Sequence, residues 1–566
     1  MRTIISLVAL LLLLAGAAAL ADGGADAWPR KKLIETGWDE ATTDRLRQNL
    51  AEMERTPFDG VVVGAIGHAD AKRSVNLRAA FAADPWKREW FRNCVDDLQA
   101  CQFTRFTDNF VILGANPGSV DWFDDAGWAS VVDHWRIAAW IAKQGRCRGL
   151  LFDPEPYTEG FSQFKYQAQP QRDKHTFAEY SAKARQRGRE VMQAVAAEVP
   201  DGTLFCYFMN SVNAPAAGQA DSLVALTGSG YGLYPPFIDG WLDALPPGMT
   251  LVDGCEGSYL YNSPIQFLQS AVLIKGDCQS LVSPENRARY RAQVQVSFGI
   301  YLDAYYNPPN SHYYIDGLGG PRVNRLRQNV SDALKAADRY VWIYGEQCRW
   351  WPTPNTGLKQ TWPEGLPGSD RALRLAVDPV DYARARLAEL AQTNSLLDLV
   401  RNGDFGSDKT TDAGGKALAW IAGGAPVGWG TWQAEGSKGT FTWDRTVGSK
   451  APGSSCATQV GSGCLTQGIQ PVKPGERFAV QGSFRLQGQG SAWLRVRWQK
   501  PDGGWTAEQL DKLVYGRARS GEWGDLFGVA EVPEGVGQLV ILLCMAGETS
   551  PNDLAWFDDV HCYRLD

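Results

Sequence analysis

Eight short apolar runs of β character alternate with helix-period segments between residues 33 and 393, and this alternation restricts the fold more than any other feature. The runs are Leu33–Trp38, Gly60–Ile66, Asn109–Gly114, Gly149–Asp153, Thr203–Met209, Thr250–Gly254, Val294–Leu302 and Tyr340–Tyr344. Amphipathic faces lie between them. Leu46, Leu50 and Met53 mark the first, and Trp128, Val131, Val132, Trp135 and Ala139 a later one. Phe177, Tyr180, Ala184, Val191 and Val195 form a face that stops before Pro200, and Val323, Leu326, Val330 and Leu334 form another just ahead of the eighth run. A last helix follows Pro379. Alternating β and α units with right-handed crossovers make either an open doubly wound sheet or a closed barrel, and eight units is the number that closes. The expected α/β fold is therefore a (β/α)8 TIM barrel over residues 22–393. Gly60-Val61-Val62-Val63 and Gly149-Leu150-Leu151-Phe152 read as strands buried on both faces.

From residue 394 to 566 the helical period vanishes. Short alternating runs such as Trp493-Leu494-Arg495-Val496-Arg497-Trp498 are separated by Gly, Pro and Asp turns, which predicts an all-β sandwich. Residues 1–21 carry Arg2, an apolar run from Ile4 to Ala19 and the small-residue ending Ala19-Leu20-Ala21, the pattern of a signal peptide. The expectation is a secreted or periplasmic protein with no membrane span once that segment is removed. A net charge of −7 argues against nucleic acid as the main partner. Eleven cysteines in an exported chain suggest bridges, with Cys94/Cys101, Cys456/Cys464 and Cys544/Cys562 as the expected pairs. Five histidines without zinc-type spacing, and no GxSxG elbow, disfavour zinc hydrolysis and lower the case for a serine esterase.

In a barrel the chemistry sits at the carboxyl ends of the strands, so polar residues just beyond each run are the candidates. Asp153 and Glu155, in Phe152-Asp153-Pro154-Glu155-Pro156-Tyr157, follow a buried strand at positions i and i+2 and leave it on the same side. Two carboxylates held that close raise one another's affinity for a proton, as a general acid requires. The bland alternative is helix capping, or pairing with Arg146 or Arg148. Cleaving a glycosidic bond takes a second carboxyl group, and Glu256, in Asp253-Gly254-Cys255-Glu256, is the favoured one, with Asp303 and Glu346 as competitors. The expected catalytic set is Glu155, Glu256 and Asp153. Glu35, Trp38, Tyr157, Asp253, Tyr259, Tyr261, Asp303, Tyr305, Glu346, Trp350 and Trp351 are candidates to line a cleft for a poly- or oligosaccharide, the aromatic ones as sugar platforms. No cofactor is expected for catalysis.

The barrel resembles glycoside hydrolases of barrel type through the acid after its fourth strand, and many retaining members resemble one another in keeping a nucleophile after the seventh, which brings in Asp303. The Asp-x-Glu phrase is also similar to the chitinase family, although Leu151 and Gly149 stand where that family's further aspartates would be. Asn402-Gly403-Asp404-Phe405 and Trp556-Phe557-Asp558-Asp559-Val560 resemble the opening and closing strands of jelly-roll carbohydrate-binding modules. That likeness implies a structural calcium, with Asp404 and Asp558 as ligands. The alternatives to a glycosidase are a glycan-binding protein without catalysis, and a carbohydrate esterase or lyase.

Overall fold

A computed structural model describes residues 30–566 apart from 119, 159–161, 407–408, 412–416, 420–425, 438, 451–454, 548–549 and 551. The signal-peptide segment 1–21 lies outside the described residues. The chain forms two compact units, Met1–Val377 and Asp378–Asp566.

The first unit is an α/β barrel. Its strands are β1 Lys32–Gly37, β2 Gly60–Gly64, β3 Phe110–Gly114, β4 Gly149–Asp153, β5 Thr203–Cys206, β6 Thr250–Asp253, β7 and β8 Tyr340–Gly345. β7 comes in two pieces, Val294–Val296 and Phe298–Tyr301, divided at Ser297. The first piece pairs with β6 and the second with β8, while β8 pairs with β1, so the parallel ring closes through a broken strand. The helices α1 Thr43–Met53, α2 Arg92–Ala100, α3 Asp125–Gln144, α4 Phe177–Glu198, α5 Tyr234–Ala244, α6 Pro264–Lys275, α7 Arg287–Gln293, α8 Arg322–Ala336 and α9 Ser369–Val377 lie between or after the strands. The faces read from the sequence are the buried ones: Leu46 and Met53 in α1, Trp128, Val131 and Trp135 in α3, Leu326 and Val330 in α8. α4 opens with a capping box between Thr176 and Glu179, which satisfies two of its free N–H groups.

Strand parity decides what faces the lumen. Neighbours at the same height in a parallel sheet point to the same side. Phe110, Phe205 and Tyr340 meet edge-on or tilted inside the ring, at centroid distances of 5.5 to 5.7 Å. Phe110 is level with Gly149, which puts Asp153 inside as well. Above them Thr36 Oγ1 lies 2.7 Å from the Tyr207 hydroxyl, and Tyr207 stacks on Trp342 at 4.6 Å. Glu35 has the opposite parity to Thr36, and Asp253 the opposite parity to Val252. Both acids therefore face the helical layer.

The second unit begins with a helix, Pro379–Gln392, which packs on the sandwich: Arg384 lies over the Phe527 ring and Arg386 Nε donates to the Leu565 carbonyl. The sandwich strands are β9 Gly430–Gln433, β10 Gly439–Asp444, β11 Ser455–Val460, β12 Ser462–Ile469, β13 Arg477–Gln487, β14 Ser491–Gln499, β15 Lys512–Val514, β16 Trp523–Glu531, β17 Gln538–Ala546 and β18 Leu554–Arg564. They form two antiparallel sheets, β9-β12-β17-β14-β15 and β10-β11-β18-β13-β16. Leu465, Leu494, Val496, Ile541, Leu543, Phe478 and Phe557 fill the space between the sheets.

The cysteine pairing expected from sequence does not form. The described cysteines are free thiols: Cys94 Sγ bonds the Ile66 carbonyl, and Cys101 Sγ bonds that of Asp97. Cys464 stands across the ladder from Cys544, while Cys562 is buried in the core between the sheets. The side chain of Cys456 lies outside the described residues.

Candidate functional site

β4 and β6 deliver two glutamates to one cavity of about 570 Å³ at the carboxyl end of the ring. Glu155 and Glu256 line it together with Tyr231, Tyr259, Tyr261 and Tyr313. Each glutamate has its own local cause. Beyond β4, Asp153 Oδ1 accepts the Glu155 N–H at 3.0 Å, which folds the chain back over the strand end. Asn116 grips the same loop from β3: its Nδ2 donates to the Glu155 carbonyl and its Oδ1 accepts the Tyr157 N–H at 2.8 Å. The Tyr157 hydroxyl then donates to Glu155 Oε2 at 2.5 Å.

Beyond β6 the chain passes through Gly254, where a Cβ would stand 2.4 Å from the Cys206 carbonyl oxygen. It then turns at Cys255, held left-handed at φ 46°, a conformation that costs a non-glycine residue about 1 kcal/mol. That turn starts the short helix Glu256–Leu260. Gly299 on β7 leaves room for it, because a Cβ there would come 2.7 Å from the Tyr259 ring. Tyr259 stacks on Tyr301 at 5.1 Å and lies parallel to Tyr344, giving the cavity an aromatic flank.

The electrostatics separate the acids. Burial first, then the charges of Glu155 and Asp153, push the Glu256 carboxyl up to about 8; the Tyr259 hydroxyl opposes and Glu346 adds to the rise. Asp153, 1% exposed, is raised by burial to about 7 against the pull of Arg78. Arg78 reaches Asp153 Oδ2 at 3.3 Å and Glu40 Oε2 at 2.6 Å, so the arginine beside Asp153 is neither Arg146 nor Arg148. Glu346 accepts the Tyr301 hydroxyl at 3.0 Å. Asp303 is fully buried; its Oδ2 accepts the Glu346 N–H at 2.8 Å, and burial raises it to about 6. Asp303 therefore sets the loop that carries Glu346.

Several sequence candidates lie elsewhere. Glu35 is buried outside the ring next to Asp39, and burial followed by the Asp39 charge raises it well above the carboxylate range. Asp253 is fully buried and accepts from the N–H groups of Met209, Ser211 and Cys255 and from the Ser211 hydroxyl, a loop anchor with its oxygens already engaged. Tyr305 is packed beneath α8, where its hydroxyl accepts from Asn329 at 2.8 Å. The paired tryptophans are core residues: Trp351 donates to the Asp39 carbonyl at 2.9 Å, and Trp350 meets Phe58 edge-on at 5.0 Å. Trp38 and Tyr157 are the exposed aromatic residues of the set. Sequence reasoning missed Arg78, Asn116 and Tyr231. Arg78 lies in a connection away from any run, whereas Asn116 stands just beyond the third run, where the rule for candidates would have found it.

In the sandwich, Asp558 Oδ2 accepts the Ser449 N–H at 2.7 Å and Oδ1 accepts the Asp559 N–H. The Lys450 ammonium supplies the nearby positive charge, 2.9 Å from Asp559. Asp404 Oδ1 is engaged by the Gly406 N–H. Among the described residues no group of three or more His, Cys, Asp or Glu is placed to hold a metal. The outer face of the β9-β12-β17-β14-β15 sheet carries a transverse row. Trp432 is level with Cys464, Cys464 with Cys544 and Cys544 with Trp493, and Trp493 lies 6.3 Å from the ring of Tyr515. Trp432 and Tyr515 are more than half exposed.

No family model matches the chain, and no curated protein matches it. Solved structures with local similarity include the following three. The enzymatically active domain of tailspike protein 4 from bacteriophage CBA120 is 16% identical, with 30% of this chain and 21% of that chain covered and a TM-score of 0.22. An arabinose-bound GH51 α-L-arabinofuranosidase is 15% identical, with 30% and 26% covered and a TM-score of 0.21. A CBM4 structure is 14% identical, with 29% of this chain and 99% of that chain covered and a TM-score of 0.21. The chain thus spans about a fifth to a quarter of the first two.

Proposed function

We propose that the barrel is a glycoside hydrolase acting on a poly- or oligosaccharide in an exported protein. The observation that carries this reading is the convergence of Glu155 and Glu256, from different strands, on one tyrosine-lined cavity. Hydrolysis of a glycosidic bond takes one carboxyl group that gives a proton to the leaving oxygen and one that attacks the anomeric carbon or activates water there. Glu256, raised to about 8, holds its proton at neutral pH and is assigned the donor's part. Glu155, which already accepts the Tyr157 hydroxyl, is assigned the part of base or nucleophile. This assignment exchanges the roles expected from the Asp-x-Glu phrase. Asp153 acts through its neighbours, by holding the Glu155 N–H and by adding charge near Glu256. Tyr231, Tyr259 and Tyr261 offer ring faces and hydroxyls to the sugar. In the second unit, the row of Trp432, Trp493 and Tyr515 suits a glycan-binding surface.

The deciding experiment replaces Glu155 by Gln and follows reducing-end release on a panel of polysaccharides. Turnover should fall by about 10²–10⁴-fold, the usual worth of acid–base catalysis. Unchanged turnover removes the assignment. The exposed aromatic row favours a second reading, a glycan-binding protein without catalysis, which would show retention on a glycan and no product from the wild type.

A further inference from the structure

A second cavity, of about 420 Å³, is lined by Arg287 and Arg291, the first residue of α7 and the residue one turn later. The two cavities draw lining residues from the same two chain segments. Ala214 and Pro215 face the carboxylate cavity and Ala217 the arginine cavity, all on the short helix Ala214–Ala217. Leu273 and Ile274 at the end of α6 face the first, and Gly276 and Asp277 face the second. The step along either segment is less than about one helical turn, ~5 Å.

The arginines are unequally satisfied. Arg291 donates to Gln279 Oε1 at 2.5 Å. Arg287 is half-buried, and its Nε is shut off from solvent without a hydrogen-bond partner. Among the described residues it forms no ion pair, and Asp277, in the same wall, is not bonded to it. A buried N–H without an acceptor is costly, and an anion beside the guanidinium would complete it. Its planar fork suits a carboxylate or a sulfate, and its neighbour one turn on can close over the same group. Gln279 and Ser280 add polar groups beside it.

We infer that Arg287 and Arg291 form an outer subsite for an anionic group on the glycan, so that the substrate is an acidic polysaccharide carrying uronate carboxylates or sulfate esters. The inference rests on the hydrolase reading for the word substrate, while the anion site stands on its own geometry. A chain leaving the carboxylate cavity along the Ala214–Ala217 helix presents its next charged unit to Arg287.

The test uses the full-length protein with three probes: a galacturonate hexasaccharide, a sulfated galactan oligosaccharide and neutral xylohexaose. Calorimetric titration measures binding, and reducing-end release measures turnover. Wild type should bind at least one anionic probe more tightly than xylohexaose, with an advantage that fades as salt rises. Arg287→Ala should lose about tenfold or more of that affinity, the worth of one charge-assisted hydrogen bond, and raise KM for the anionic probe with kcat held. Its affinity for xylohexaose should not change. Arg291→Gln, at an exposed position, should show a smaller loss in the same direction. Whichever anionic probe responds separates the uronate source from the sulfate source. Equal binding of all three probes by wild type, or anionic binding untouched in both variants, overturns the inference. Anion binding that depends on Arg287, with no product from wild type, would uphold the subsite and remove the hydrolase reading instead.

Discussion

The Tyr157 hydroxyl donates to Glu155 Oε2 at 2.5 Å, so the residue after the Glu-Pro pair fixes the direction of the acid two positions before it. Tyr157→Phe removes this donor and leaves the ring. One hydrogen bond to a charged group is worth about 1.5–3 kcal/mol, so kcat should fall by about tenfold or more while KM changes little. Initial rates across substrate concentration measure the split. A change confined to KM would make Tyr157 a sugar contact only.

The pH dependence follows from Glu256. With its carboxyl raised to about 8, Glu256 as the proposed donor loses its proton above that pH, and kcat/KM should fall along a basic limb near 8. Asp153 is one of the charges behind that rise, so Asp153→Asn should move the limb to lower pH. A limb that stays in place in this variant would show that the titrating group is another one.

Stability should respond to the same two acids. Asp153 and Glu256 bind protons more tightly folded than unfolded, since both are raised above their ordinary values, to about 7 and about 8. At these two sites the folded chain therefore holds more protons than the unfolded chain between about pH 4 and 8, and their contribution to stability falls as pH rises through that window. Glu256→Gln should flatten the fall and leave the protein more stable than wild type at pH 8. Urea midpoints at pH 5 and pH 8 give the comparison.

The two classes of tryptophan should separate cleanly. Trp351 is 1% exposed and Trp38 57% exposed. Trp351→Ala opens a cavity in the core and should cost about 3–5 kcal/mol of unfolding free energy. Trp38→Ala should leave the midpoint within about 0.5 kcal/mol, as surface changes do, with any effect appearing in KM.

On the sandwich, Trp432→Ala and Trp493→Ala should each weaken retention of the full-length protein on a polysaccharide that holds the wild type, with the proposed turnover of a short soluble oligosaccharide unchanged. Affinity electrophoresis reports the first and reducing-end release the second. Retention that survives both changes would place glycan binding elsewhere.

The barrel was legible because period and run length carry it: every apolar run became a strand within a few residues, and the predicted helical faces are the buried ones. Which way each side chain points was not legible. A parallel strand buried on both faces is apolar throughout, so alternation is silent, and Glu35 and Asp253 read like lumen residues although they face the helices. Trp350 and Trp351 look like a sugar platform until Asp39, more than 300 residues earlier, is seen to hold them. Arg78 gave no signal, because its partners Glu40 and Asp153 come together only when the ring closes.

The break in β7 at Ser297 separates the strands that bear the two glutamates from those that bear Tyr301 and Glu346. β4, β5 and β6 are tied edge to edge by an uninterrupted ladder, so the spacing between the bearers of Glu155 and Glu256 is held by main-chain bonds. Tyr301 and Glu346 belong to the far side of the break, on the second piece of β7 and at the end of β8. A slight slip at Ser297 would carry Tyr301 and Glu346 along together while leaving the spacing of the two acids untouched.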